Sequence, residues 1–255
     1  MIAGNKCYFR TLKIILMKIR IILSFLLTLL IMNQTNARKI ETDTFKTKKG
    51  KIVTVHFIQH ASLYFTYEGV TIYCDPVNYE GVDYRTLPKA DVILITHEHY
   101  DHLDKEAIMQ ISTPNTVLYC TKPTHEILHL GNILHNGEKV SYLIDIEAVS
   151  SYNTSEGREI YHPKGRDNGY VITLGGSRIY IPGDCEDMPE MAELKDIDVA
   201  FLPINQPYTM TVAQAINAAK IIKPKILYPI HYSDTDLEGL SVLKEAGIDV
   251  RIFKM

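Results

Sequence analysis

The apolar run Asp91-Val92-Ile93-Leu94-Ile95-Thr96 stops abruptly at His97-Glu98-His99-Tyr100-Asp101-His102. The run reads as a buried strand, so its end delivers three imidazoles and the Asp101 carboxylate to the point where strand becomes loop. His and Asp are the side chains that a borderline divalent metal prefers. In an extended chain, residues two apart point the same way, so His97 and His99 can reach one ion together. Asp101 and His102 come from the next turn of chain and are placed to hold a second ion beside it. The chain has only ten His in 255 residues, and a chance H-x-H-x-D-H at that frequency is rare.

The first 37 residues read as a separate segment. Residues 21–32 are apolar and uncharged, preceded by Lys18 and Arg20 and followed by Asn33-Gln34-Thr35-Asn36-Ala37. This basic, apolar, small-residue order is that of a secretory signal cleaved after Ala37, with Met17 a better translation start than Met1. A membrane anchor needs about 20 apolar residues, and no Cys follows the run to carry a lipid. The expectation is an exported chain, periplasmic or secreted, without stable membrane insertion, whose residues 38–255 form one domain.

The excised segment carries Lys6, Arg10, Lys13, Lys18 and Arg20 and no acid, so its loss moves the formal net charge from -3 to -8. An acidic surface repels phosphate backbones, which argues against nucleic acid as a partner; the partner expected is a small-molecule substrate. Cys74, Cys120 and Cys185 remain after cleavage. Three thiols cannot all pair within one chain, and no C-x-x-C occurs. Cys74 and Cys120 end strand-like runs and read as buried small hydrophobes. Cys185 follows Asp184 in a loop of interest, as a metal ligand or a pocket-lining residue.

Runs rich in β-branched and aromatic residues predict strands at 52–58, 62–67, 70–74, 92–96, 117–120, 140–149, 170–174, 178–181, 199–204, 226–230 and 250–253. Helices are predicted at 105–111, 123–130, 212–222 and 237–246, the second closed by Gly131 and the third stopped by Lys223-Pro224. Blocks of strands separated by helices predict an α/β sandwich with helices outside. The chemically loaded residues fall just past strand ends: His60, Asp75, the His97–His102 cluster, Asp184 in Ile181-Pro182-Gly183-Asp184, and His231 after Leu227-Tyr228-Pro229-Ile230.

The motifs Thr96-His97-Glu98-His99-Tyr100-Asp101-His102, Pro182-Gly183-Asp184 and Pro229-Ile230-His231-Tyr232 resemble those of the metallo-β-lactamase fold superfamily. Ile58-Gln59-His60-Ala61-Ser62, Cys74-Asp75-Pro76-Val77, Thr209-Met210-Thr211 and Ile222-Lys223-Pro224-Lys225 are similar to the branch with L-ascorbate-6-phosphate lactonase-like enzymes and uncharacterised metal-dependent hydrolases. The resemblance runs from about residue 52 to the end. It implies a four-layer αββα sandwich with two divalent metal ions, zinc foremost with manganese or iron as alternatives, in a groove at one edge of the sheets.

By the same resemblance His97 and His99 would bind the first ion and Asp101, His102 and His231 the second, with Asp184 bridging. Many relatives place a further His where this chain reads Ser151-Tyr152-Asn153-Thr154. Asn is a weak zinc ligand, and His162 in Tyr161-His162-Pro163-Lys164 is the expected replacement, the other reading being a solvated loop residue. A metal-bridging hydroxide would then attack a small ester, lactone or amide, with Asp101 and Asp184 at the reacting centre and Asp184 orienting the nucleophile or carrying its proton. His60 would stabilise developing negative charge or serve as a structural histidine bonded to a loop carbonyl. Tyr208, Thr209 and Met210 are placed to line the pocket or to sit in the core, and Lys164 and Arg166 to meet an anionic substrate or solvent. A phosphodiesterase or phospholipase-like hydrolase and a metal-bound, non-catalytic binding protein are the alternatives.

One motif competes. His125-Glu126-Ile127-Leu128-His129 matches the H-E-x-x-H pattern of zinc proteases, but its helix is short and offers no third ligand, which makes surface residues of both histidines.

Overall fold

The computed structural model describes residues 17–20, 40–79 and 81–255. The expected export segment therefore lies, apart from residues 17–20, outside the described residues. Among the described residues no helix is long and apolar enough to cross a membrane.

Residues 40–255 form one compact unit built on two seven-stranded sheets, each with its strands in chain order. The first sheet holds β1 (Glu41–Lys46), β2 (Ile52–Gln59), β3 (Ser62–Tyr67), β4 (Val70–Cys74), β5 (Val92–Leu94), β6 (Val117–Cys120) and β7 (Asn132–Ile133). The second holds β8 (Lys139–Ser141), β9 (Asp145–Ser151), β10 (Asp167–Leu174), β11 (Ser177–Ile181), β12 (Ile197–Pro203), β13 (Ile226–Ile230) and β14 (Asp249–Val250). Four antiparallel strands open each sheet, and the remaining three add in parallel. The antiparallel steps need only tight turns. Glu68-Gly69, both at positive φ, make the β3–β4 hairpin. The parallel steps require crossovers, which the helices supply.

Alternation sorts the side chains into layers. Val53, Val55 and Phe57 of β2 point inward with Ile146, Ala148, Tyr170 and Ile172 of the facing sheet, forming the central core. The outer face of the first sheet is covered by the helix Lys105–Ile111, through Ala107, Ile108 and Ile111, and by Leu128 of the helix Lys122–Leu128. The outer face of the second packs on Ala215, Ala218, Ala219 and Ile222 of the helix Val212–Ile222 and on Leu240 and Leu243 of a 3-10 segment, Glu238–Ala246. Helix, sheet, sheet, helix is the αββα sandwich expected from the sequence. The Val212–Ile222 helix starts at a capping box in which Thr211 and Gln214 satisfy each other's backbone groups, an arrangement that contributes about 1 kcal/mol.

Several boundaries differ from the sequence reading. The single strand expected over 140–149 is a hairpin, β8 and β9, because Tyr142 and Leu143 face solvent at a turn. The strand expected over 92–96 ends at Leu94, the segment 237–246 is 3-10 rather than α, and the last strand is only Asp249–Val250. Strands β1 and β7 had no hydrophobic signal of their own.

Candidate metal centre

The loaded loops converge. His60 follows β2, Asp75 follows β4, His97–His102 follow β5, Asp184 follows β11 and His231 follows β13, while His162 lies in the loop between β9 and β10. The two sheets are pinned together beside these loops, since Asn168 N–H donates to the Thr96 carbonyl at 3.0 Å and the Tyr170 hydroxyl to that of Ile95 at 2.9 Å. Gly183 makes the approach possible. At φ +68°, a Cβ there would lie 2.6 Å from the Thr96 Cβ, so any other residue would push Asp184 away from the first sheet.

Three groups of ligand atoms lie within 4.8 Å of one another: His97, His99 and His162; His97, His102 and Asp184; and His60, Asp101, His102 and His231. These groups contain His97, His99, Asp101, His102, His162, Asp184 and His231, the ligands expected from the sequence, but not Cys185. Asn153 joins none of these groups. Its side-chain amide donates to the Tyr208 carbonyl at 2.7 Å, and its backbone N–H to the carbonyl of His162 at 2.9 Å.

Hydrogen bonds behind the ligands fix their tautomers. Asp75 accepts from Thr96 N–H (2.8 Å), from the Thr96 hydroxyl (2.6 Å) and from His102 Nδ1 (2.8 Å). The Thr96 proton is used on Asp75, so the Thr96 oxygen accepts from His97 Nδ1 at 2.9 Å. The Tyr208 carbonyl accepts from His162 Nδ1 at 3.2 Å. With Nδ1 protonated in all three rings, Nε2 is the free end. His97 Nε2, His102 Nε2, His162 Nε2, Asp184 Oδ1 and both His231 nitrogens are buried without a hydrogen-bond partner. Buried polar atoms are normally satisfied, and a cluster of bare imidazole and carboxylate donors fits a pair of divalent ions.

Electrostatics divide the centre in two. Burial and neighbouring imidazoles hold His97 well below its ordinary pKa, and burial brings His162 down to about 4. Burial, then the Arg166 guanidinium, lowers His99. At all three, burial favours the neutral imidazole, the form that binds metal. Around the other group burial opposes charge on His231, but Asp184 and Asp101 raise it to about 9. His102 is likewise carried well above its usual value, against burial, by Asp184 and Asp75. Burial disfavours the ionised Asp184, yet His231 and His102 hold it well below the carboxylate range. Its Oδ2 is 3.2 Å from His231 Nε2, and its Oδ1 is 3.2 Å from His102 Nε2. Both are ion-pair approaches rather than aligned hydrogen bonds.

His60 is tied to a carboxylate and not to a loop carbonyl. Its Nε2 lies 3.2 Å from Asp101 Oδ2, and its ring centroid is 3.6 Å from that of His231. In this geometry it fixes Asp101, and Nε2 is not left free toward the cleft.

Of Tyr208, Thr209 and Met210, only Tyr208 lines the cleft; Met210 is fully buried against the outer helix layer. Lys164 pairs with Glu190 and stacks on Tyr152. Arg166 forks onto Asp167 at 2.6 and 2.9 Å and donates to the Tyr161 carbonyl. Its Nη1 lies 3.5 Å from Glu98 Oε1, so both cations are paired with carboxylates. Cys185 belongs to no ligand group and is core, its thiol pushed far up by burial. Cys74 and Cys120 are buried free thiols. In the H-E-x-x-H segment, His129 caps its helix in left-handed geometry, and His125 Nδ1 donates to the Gly131 carbonyl at 3.0 Å. Neither joins a ligand group among the described residues.

Sequence reasoning missed the supports. Asp75 was visible as a strand-end acid, but its role in orienting His102 needed the fold. Glu186 gave no signal. Fully buried, it accepts from the N–H groups of Thr154 and Ser155 and pairs with Arg158 at 3.1 Å, which holds the loop carrying His162.

Comparison with known proteins agrees with this geometry. Residues 54–231 match the family described as a beta-lactamase superfamily domain. The chain is 29% identical over 214 residues to a UPF0173 metal-dependent hydrolase of Salinibacter ruber, covering 77% of this chain and 95% of that one. It is 32% identical over 164 residues to one of Nanoarchaeum equitans, covering 58% and 72%. Among solved structures, a candidate metal-dependent hydrolase from Parabacteroides distasonis is 52% identical, with a TM-score of 0.82 over 85% of this chain and all of the other. Igni18, a metallo hydrolase of Ignicoccus hospitalis, shares the fold at 24% identity and a TM-score of 0.66, covering 79% and 95%.

Proposed function

Because the chain belongs to the metallo-β-lactamase superfamily and, within it, to the UPF0173 metal-dependent hydrolases, we propose that it is a dinuclear hydrolase of small esters, lactones or amides. The observation that carries this reading is the set of buried ligand atoms without a hydrogen-bond partner on His97, His102, His162, Asp184 and His231. His97, His99 and His162 would hold one divalent ion, Asp101, His102 and His231 the other, and Asp184 would face both. When bound, such ions supply Lewis acidity toward a substrate oxygen and make water acidic enough to act as a nucleophile near neutral pH.

The protein's own contribution is positional. Asp75 and Thr96 lock His102 and His97 with their Nε2 atoms inward. The Tyr208 carbonyl does the same for His162, and His60 holds Asp101. Asp184, set between His102 and His231 at 3.2 Å from each, is the group placed to orient water.

The export of this domain and the choice of zinc, manganese or iron belong to the same proposal, supported by the basic-apolar head of the sequence and by the mixed imidazole and carboxylate donors. Elemental analysis of the purified chain should find close to two transition-metal ions per molecule. A panel of lactones, carboxylic esters, amides and phosphodiesters should then show turnover that a chelator abolishes and added metal restores. Metal content near zero after growth with zinc, manganese and iron would overturn the proposal. Turnover of phosphodiesters alone would move it to a phosphodiesterase, and two bound ions without turnover of any substrate to a binding protein.

A further inference from the structure

The cleft over the ligands has two lobes, each about 450 Å³, and Tyr100, Asp101 and Tyr208 line both. The waist between them therefore lies over the reacting groups. The lobes differ in chemistry. On the His162 side the wall is Tyr100, Tyr161 and Tyr208 together with Glu98 and the ligands, and no Lys or Arg is among its described lining residues. On the His231 side Tyr79 and Tyr232 join Tyr100 and Tyr208, but Asn205, Ser233, Asp234 and Lys254 make that wall polar and charged.

The tyrosines are notable for their exposure. Tyr100 is 75% exposed, Tyr79 55% and Tyr208 45%. Tyr161 and Tyr208 meet edge to face at 5.1 Å, and Tyr79 and Tyr100 lie tilted at 6.2 Å. Large aromatic faces left open around a pocket lose contact energy unless a ligand covers them. The first lobe already holds the carboxylates Glu98, Asp101 and Asp184. The lining of that lobe offers an anionic group no Lys or Arg, and the adjacent Arg166 is shared among Asp167, the Tyr161 carbonyl and, at 3.5 Å, Glu98.

Building on the hydrolase reading, we infer that the substrate carries an uncharged aromatic ring, seated in the His162 lobe against Tyr100 and Tyr161, with its scissile carbonyl at the waist and its polar half toward Asn205 and Ser233. The ring lies on tyrosine faces and edges, and the second lobe accepts hydrogen-bonding groups.

Calorimetry on the full, zinc-loaded chain with phenylacetohydroxamate and cyclohexylacetohydroxamate tests this. The two probes share one metal-binding head and differ only in the ring. The phenyl compound should bind about threefold to tenfold tighter, and the double variant Tyr100→Leu, Tyr161→Leu should bind both equally. Methyl phenylacetate and methyl cyclohexylacetate, which share a leaving group, should differ in KM in the same sense. Equal binding by the unaltered chain, or a ring preference that survives in the variant, overturns the inference while leaving the hydrolase reading intact. A chain that retains none of zinc, manganese or iron overturns both. Circular dichroism and metal content of the variant confirm that a lost preference is not lost folding.

Discussion

The backbone N–H of His231 donates to the carbonyl of His60 at 2.9 Å, joining the end of β13 in one sheet to the end of β2 in the other. Both residues adopt left-handed backbone conformations, at φ 47° and 55°, which cost a residue with a Cβ on the order of 1 kcal/mol each. The strain aims both rings at Asp101 and keeps His60 Nε2 on its carboxylate. His60→Gly preserves the turn and removes only the imidazole. Thermal stability should change by no more than about 1 kcal/mol, while the affinity for the second of two ions drops about tenfold to a hundredfold. Calorimetric metal titration reads both sites, and an unchanged second affinity would reduce His60 to a turn residue.

His162→Ala should lower bound metal from two ions toward one, because the three-imidazole group loses a member. Hydrolysis should fall by more than about a hundredfold, beyond what a supporting residue costs. Elemental analysis beside steady-state rates checks this. Full metal content in the variant would show that Asn153 or solvent completes that group.

Asp75→Asn probes the layer behind the ligands. The carboxylate accepts three hydrogen bonds at once, and an amide must present an N–H to one of those donors. Stability should fall by about 1–3 kcal/mol in urea unfolding. Metal affinity should fall about tenfold to a hundredfold by chelator competition.

Asp167 gives a pH signature. Burial raises its carboxyl to about 6 from 3.8, with the Arg166 guanidinium offsetting only part. Between those values the folded chain binds a proton that the unfolded chain does not. The contribution of Asp167 to stability is therefore favourable in acid and is lost as pH rises toward 6. Unfolding free energies of chelator-treated protein, from about pH 4 to about pH 7, should show the unaltered chain losing on the order of 1–3 kcal/mol relative to Asp167→Asn.

His129→Gly separates the protease-like motif from the chemistry. His129 sits at φ 57° as a helix cap, a place where glycine carries no Cβ penalty. The variant should gain about 0.5–1 kcal/mol of stability, with metal content and turnover intact. Loss of metal would instead point to the H-E-x-x-H segment.

How far the sequence foretold this molecule depends on whether a signal is local. The buried strand before His97 and the amphipathic stripe of 212–222 were legible because each segment's own residues encode them. So was the meeting of His97, His99, Asp101 and His102. Strand β1 was not: in Glu41-Thr42-Asp43-Thr44-Phe45-Lys46 only Phe45 is buried, and pairing with β2 defines the strand. His162 was named from the sequence because it is the next histidine after Asn153. The contact that orients it, the Tyr208 carbonyl 46 residues away, is a product of folding. Asp75 and Glu186 act through such distant partners, and nothing in the neighbours of Glu186 announces it.

The two sheets share one plan, four antiparallel strands and then three parallel, each first parallel step crossed by a 3-10 turn, the next by an α-helix, and the last by an α-helix in one sheet and a 3-10 segment in the other. The chain is in effect two like halves laid face to face. Asp75, after the fourth strand of one half, and Asp184, after the fourth strand of the other, occupy the same station. Between them stands His102, 2.8 Å from the first through Nδ1 and 3.2 Å from the second through Nε2. Two acids of identical address have taken opposite duties, one as buttress and one as working face, and a single imidazole carries the force of the first to the chemistry of the second.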